Sequence, residues 1–123
     1  MSCIEISKLS LSHGSKPVID DLSLSITAGE TFALLGINGA GKSSLVKAIL
    51  DFIDLDTGSV SIQGIPSNQA KARQALAFVP EKFTPPYYST GQQFINFTLA
   101  AHGSNSTRVV EYCEQLDLDT ASL

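Results

Sequence analysis

Eight residues, Gly36-Ile37-Asn38-Gly39-Ala40-Gly41-Lys42-Ser43, constrain this 123-residue chain more than any other part of it. They fit the pattern G-x-x-x-x-G-K-[ST]. Gly36, Gly39 and Gly41 let the backbone turn its N–H groups inward where a Cβ would block either the turn or whatever lies inside it. Such a loop needs a strand leading in and a helix leading out. Phe32-Ala33-Leu34-Leu35 is a short continuous apolar run, the pattern of a strand covered on both faces. Beyond the loop, Leu45, Val46, Ile49, Leu50 and Ile53 share one stripe at helical spacing, while Lys47, Asp51 and Asp54 face elsewhere.

The loop's chemistry follows from its donors. Inward N–H groups and the positive end of the following helix suit a chain of phosphates. Lys42 would reach the β- and γ-phosphates as a point charge, Ser43 would give its hydroxyl oxygen to Mg²⁺, and Ser44 would meet the α-phosphate. Asn38 and Ala40 complete the cradle between the glycines. The ligand class is a nucleotide, MgATP first among them. With glycine at about 7% of residues, chance matches to the four fixed positions arise in roughly a few chains per thousand, so an incidental glycine turn is a poor explanation.

Charge points the same way. The formal net charge is −4, spread along the chain without a run of Lys or Arg, which excludes a basic surface for nucleic acid or anionic lipid. Any anion is therefore held locally. Cys3 and Cys113 belong to no metal-ligand spacing and imply no disulfide framework, which suits a reducing cytosol. The apolar stretches are strand-sized, short of a membrane span, and the first residues carry no signal-peptide core.

Elsewhere the elements follow from periodicity and punctuation. Apolar parity slips between Ile4/Ile6 and Leu9/Leu11, which predicts a bulged strand or two short ones. Leu22 to Ile26 alternates and stops at a turn, Ala28-Gly29. Val60 and Ile62 form a short strand after Asp56-Thr57-Gly58, closed by Gly64 and Pro66. Ser67 or Asn68 is placed to cap a short helix through Gln74, followed by a buried-type strand Leu76-Ala77-Phe78-Val79. Residues 81–88, with Pro85-Pro86, form a loop. Thr90-Gly91-Gln92-Gln93 has capping-box form and opens a helix through Ala101 that Gly103 terminates. A last helix spans Arg108 to Leu116 on the stripe Val109, Val110, Cys113, Leu116.

The run from Ala28 through Leu45, preceded by Val18-Ile19-Asp20-Asp21-Leu22-Ser23-Leu24, closely resembles the start of an ABC transporter ATP-binding subunit, and the resemblance covers nearly the whole chain. It implies an α/β fold: a P-loop NTPase core with an N-terminal antiparallel β-subdomain and the start of an α-helical subdomain, an incomplete domain. Residues 1–80 would carry the β-subdomain and P-loop core, and 81–123 the Q-loop region and first helices, so that 1–123 is one partial ATP-binding domain. The family's Gly-x-(β)-Gly segment corresponds to Gly58 through Gly64.

Two positions depart from the family. Similar proteins stack adenine on an aromatic residue just before the first hairpin's glycine, where this chain has His13-Gly14. An imidazole offers a smaller π face, and the alternative is a solvated turn residue. The family's Q-loop glutamine corresponds to Glu81, after Phe78-Val79-Pro80. Its carboxylate would ligate Mg²⁺ or position water near the γ-phosphate, a variant resembling bacterial exporter-type ATPases, or else stand as a loop carboxylate. An apolar strand ending Asp-Glu, an LSGGQ-like segment and a switch histidine do not occur in these 123 residues. Asp20-Asp21, Val109-Val110-Glu111 and His102 are read as structural.

The resemblance thus implies a nucleotide-binding component, with Lys42 and Glu81 as the groups nearest the chemistry. Its complete form would hydrolyse ATP, pair with a second ATP-binding subunit and drive a separate transmembrane permease subunit. It would lie in the cytoplasm, peripheral on the inner face of the membrane. Phe83-Thr84-Pro85-Pro86-Tyr87-Tyr88 falls where such proteins meet the permease. The alternative is a fragment that binds nucleotide without turning it over.

Overall fold

A computed structural model describes residues 1–105 and 107–119. The chain forms two compact units, Met1–Phe78 and Val79–Leu123.

The first unit is built on a four-stranded antiparallel sheet. Strand β1 (Ser2–His13) pairs with β2 (Lys16–Thr27) on one side and β3 (Thr57–Ile62) on the other, and β3 pairs with β4 (Ile65–Pro66), giving the order β2-β1-β3-β4. Cross-strand rows explain the register: Ile26, Ile4 and Ile62 are opposed, as are Leu24, Ile6 and Val60. The parity slip read from the sequence is a bulge within one continuous strand. The register shifts between Ile6 and Leu9, with Lys8 at φ 47°, and returns Leu9 and Leu11 to the buried face beside Ile6. Serine hydroxyls take up N–H groups at the irregularities: Lys8 N–H donates to Ser23 Oγ and Asp21 N–H to Ser10 Oγ, both at 3.0 Å.

Helix α1 (Lys42–Ile49) lies on this sheet. Leu45 and Ala48 are buried with Ile6, Leu9 and Val60, and Ile4, Ile19, Leu22, Leu24, Ile49, Ile53 and Leu55 pack around them. Each fully buried aliphatic side chain contributes about 1.5–3 kcal/mol, so this cluster fixes α1, and with it the loop. Two bonds end the helix: Asp51 N–H donates to Ala48 O and Phe52 N–H to Lys47 O, with Asp51 in the left-handed region at φ 60°.

Some expectations need correction. The short helix α2 spans Ala70–Arg73 and starts at Gln69 with no side-chain cap, so neither Ser67 nor Asn68 caps it. Ser67 is buried instead, its carbonyl accepting from Arg73. Neither Phe32–Leu35 nor Leu76–Val79 forms a strand. Leu35 and Val79 are 89% and 88% exposed. A continuous apolar run becomes a strand only when neighbours complete its ladder and layers cover both faces, and the described residues supply no strand partner to either segment.

The second unit holds α3 (Gly91–Ala101) and α4 (Arg108–Gln115). The expected capping box is present: Gln93 N–H donates to Thr90 Oγ1 at 3.2 Å, and Thr90 N–H donates to Gln93 Oε1 at 3.0 Å. Gly103, at φ 62°, ends α3: its N–H donates to Ala100 O at 3.1 Å and Ser104 N–H donates to Leu99 O at 2.9 Å. The stripe expected on α4 is only partly covered. Cys113 is buried and Val109 half-buried, whereas Val110 and Leu116 are exposed, because the described residues supply no layer for the outer half of the stripe. Among the described residues no helix is long and apolar enough to cross a membrane.

Candidate functional site

The glycine loop stands at the N-terminus of α1, and each of its glycines answers to a different constraint. Ala40 N–H donates to Ile37 O at 3.1 Å, closing a turn whose third residue, Gly39, has φ 86° and open space around a Cβ. That glycine is there for its backbone angle. Gly41, the helix N-cap at φ 93°, is held against β2, where a Cβ would lie 3.2 Å from the Val18 carbonyl oxygen and 3.1 Å from the Val18 side chain. Gly36 has an ordinary φ, but a Cβ would come within 3.2 Å of the Ala40 methyl. A Cβ would thus crowd the loop itself at Gly36 and the sheet at Gly41.

The first ladder bond of α1 runs from Leu45 N–H to Gly41 O at 2.8 Å, and Gly41 offers no side-chain cap. The N–H groups of Lys42, Ser43 and Ser44 thus precede the ladder as donors at the positive end of the helix. Lys42 folds back over the loop: its ammonium donates to the Ile37 carbonyl at 2.8 Å and to the Gly36 carbonyl. An ammonium has three N–H bonds, so one remains for an anionic oxygen. Ser43, on the first turn, is exposed and presents a hydroxyl.

His13 ends β1 opposite Lys16, across the Gly14-Ser15 turn. Its Nε2 lies 3.1 Å from Ser44 Oγ, a hydrogen bond joining residues 31 apart in sequence. The structure therefore brings together Gly36, Asn38, Gly39, Ala40, Gly41, Lys42, Ser43 and Ser44 with His13 in the first unit. Glu81 is an exposed residue of the second unit. Two features escaped sequence reasoning. One is the His13–Ser44 bond, for which no local pattern exists. The other is the packing of Gly41 on Val18 and Ile19, which only the alternation of β2 hints at.

The donor set fits a magnesium nucleotide: N–H groups and an ammonium for phosphate oxygens, a hydroxyl for a hard cation, and a backbone shape that excludes side chains.

The model of the family described as ABC transporter matches residues 19–122. The Nod factor export ATP-binding protein I of Rhizobium meliloti is 41% identical over 80 residues, which are 63% of this chain and 24% of that protein. A hemin import ATP-binding protein of Shewanella denitrificans is 34% identical over 95 residues, covering 75% of this chain and 37% of the relative. Among solved structures, an ATP-binding subunit of an ABC transporter superposes with a TM-score of 0.77 at 28% identity, over 86% of this chain and 45% of that one. A Pyrococcus furiosus protein described as a putative ABC transporter ATP-binding protein gives 0.81 at 23% identity over 98% and 60%, a likeness of fold. The chain thus spans about a quarter of the length of the rhizobial relative.

Proposed function

Because the chain belongs to the ABC transporter family of ATP-binding proteins, we propose that it binds MgATP between Gly36 and Ser44 as the nucleotide-binding component of a transporter. The observation that carries this is the glycine cradle at the start of α1 with Lys42 bonded across it. The loop and first-turn N–H groups hold phosphate oxygens, Lys42 adds its charge, and the Ser43 hydroxyl ligates Mg²⁺. Magnesium, when bound, draws charge from the terminal phosphates and orients them.

Relatives named for export and for import share this part of the chain. What they have in common here is the nucleotide rather than the cargo. In the whole protein, ATP hydrolysis drives transport by a separate transmembrane permease, with a second ATP-binding subunit completing each site at the cytoplasmic face of the membrane. Glu81 takes the Q-loop place by resemblance, where its carboxylate would serve Mg²⁺ or position water.

A second reading concerns the 123 residues by themselves. Phosphoryl transfer depends on groups that orient water and neutralise charge, and an Asp-Glu strand end, an LSGGQ-like segment and a switch histidine do not occur in these 123 residues. These residues then bind nucleotide without turnover. Calorimetry with MgATP and a phosphate-release assay on the same sample test both readings. Saturable binding that Lys42→Ala abolishes supports the site, and absence of binding overturns it. Steady phosphate release sensitive to Lys42→Ala overturns the binding-only reading.

A further inference from the structure

We propose that His13 acts on the bound nucleotide through Ser44, as a positioning residue of the phosphate site, and that its contribution is independent of the base. This rests on the reading that the loop binds nucleoside triphosphates.

The two side chains meet at 3.1 Å between Nε2 and Oγ, and either atom can be the donor. Ser44 stands on the first turn of α1, directly after the Lys42-Ser43 pair, with its backbone N–H ahead of the helical ladder. A serine hydroxyl has one proton. If Ser44 spends it on His13, the hydroxyl turns only lone pairs toward a phosphate, which repel an anionic oxygen. For Ser44 to donate to the phosphate, the imidazole must donate to Ser44, which requires the proton on Nε2. The result is a directed chain, Nε2–H to Oγ–H to phosphate oxygen, in which each bond polarises the next.

The scaffold keeps that chain in place at both ends. His13 is fixed at the tip of β1 by its pairing with Lys16, and Ser44 precedes Leu45, which is buried in the core cluster. Because the ring is tied by its edge to the helix, its effect on binding reaches the phosphates, which every nucleoside triphosphate shares.

The test compares affinities of the full chain for MgATP, MgGTP and magnesium tripolyphosphate, which has no base. His13→Phe keeps a ring face and removes the donor. It is expected to weaken all three ligands by about fivefold, the size of one hydrogen bond. His13→Gln restores a nitrogen donor at comparable reach and is expected to bind within about twofold of the original chain. In a Ser44→Ala background, His13→Phe should change nothing further. Nitrogen-15 spectra of the MgATP complex should show the His13 proton on Nε2, a readout that stands even where a variant folds poorly. Selective tightening of MgATP by His13→Phe, an equal loss in the Ser44→Ala background, a His13→Gln as weak as His13→Phe, or a proton on Nδ1 would each overturn the proposal while leaving phosphate binding intact. If the unaltered chain bound none of the three ligands, the functional reading would fall and this proposal with it.

Discussion

The α-carbon of Gly41 is packed so closely on β2 that a methyl group there would lie 3.2 Å from the Val18 carbonyl oxygen. This contact couples the phosphate loop to the sheet independently of the apolar cluster under α1. It also gives the glycine two separate reasons to be there, its left-handed φ of 93° and the nearness of Val18.

Those two reasons can be separated by substitution. Gly39→Ala meets only the backbone penalty, because its φ is 86° and the space around it is open. It should cost about 1 kcal/mol. Gly41→Ala bears the same penalty plus the contact with Val18, and should cost about 2–3 kcal/mol. Urea denaturation of both variants measures the difference, and equal losses would show that the Val18 contact relaxes freely.

A stronger case lies at the start of β3. Gly58, at φ 87°, crosses the β1 bulge where a Cβ would overlap the carbonyl oxygens of Ser7 and Lys8. Backbone has no rotamer to yield. Gly58→Ala should therefore cost about 3 kcal/mol or more, whereas Gly64→Ala, at φ 78° with nothing within 4 Å, costs only about 1 kcal/mol. Melting temperatures in that order would confirm that the bulge and β3 are fitted to each other.

What could be read from the chain and what could not follows from the range of each signal. The bulge in β1 was legible because parity is a local property of Ile4, Ile6, Leu9 and Leu11. Gly39 and the Thr90–Gln93 box were legible because their geometry involves neighbouring residues. The phosphate loop was legible as a pattern, although its tether from Ser44 to His13 spans 31 residues and leaves no periodic trace. Phe32–Leu35 and Leu76–Val79 failed as strands for a related reason. Their apolar runs record that both faces want cover, but a ladder needs partners the runs do not specify. Phe78 instead sets its ring edge-on to Phe52, with centroids 6.4 Å apart.

Helix ends give a third prediction, from residues that composition would not single out. Helix α4 ends as α1 and α3 do, with Leu118 N–H donating to Cys113 O at 2.8 Å and Asp117 to Glu114 O at 3.2 Å. Asp117 holds the left-handed position at φ 55°, where glycine serves better, and its charge faces the negative end of the helix dipole. Asp117→Gly should stabilise α4 by about 0.5–1 kcal/mol, read as slower amide exchange through Arg108–Gln115. Asp51→Gly should gain less, because it also removes the 2.9 Å ion pair with Arg73, an exposed pair worth at most about 1 kcal/mol.

Helix α3 depends on its start in a comparable way. Thr90→Ala removes the acceptor for Gln93 N–H and leaves the reciprocal bond from Thr90 N–H to Gln93 in place. A loss of about 1 kcal/mol is expected, seen as faster exchange in the first turn of α3. Thr90→Ser should retain most of the protection, since the hydroxyl rather than the methyl makes the bond.

Lys42 joins the fold to the ligand. Its ammonium bonds the Gly36 and Ile37 carbonyls, so Lys42→Ala withdraws support from the loop as well as charge from the phosphates. A nucleotide that binds only the folded chain at a hundredfold excess over its dissociation constant adds about 2.7 kcal/mol to stability. The unaltered chain should therefore melt several degrees higher in saturating MgATP than without it. Lys42→Ala should lose that increment almost entirely, while its own melting temperature falls only slightly, because two exposed hydrogen bonds contribute little beside the Ile6, Leu9, Leu45 and Val60 cluster. Lys42→Arg should recover the loop bonds but little of the nucleotide shift, since a planar guanidinium does not fit where a compact ammonium reaches between carbonyls and phosphate. A nucleotide-dependent rise in Lys42→Ala equal to that of the unaltered chain would place the ligand somewhere other than this loop.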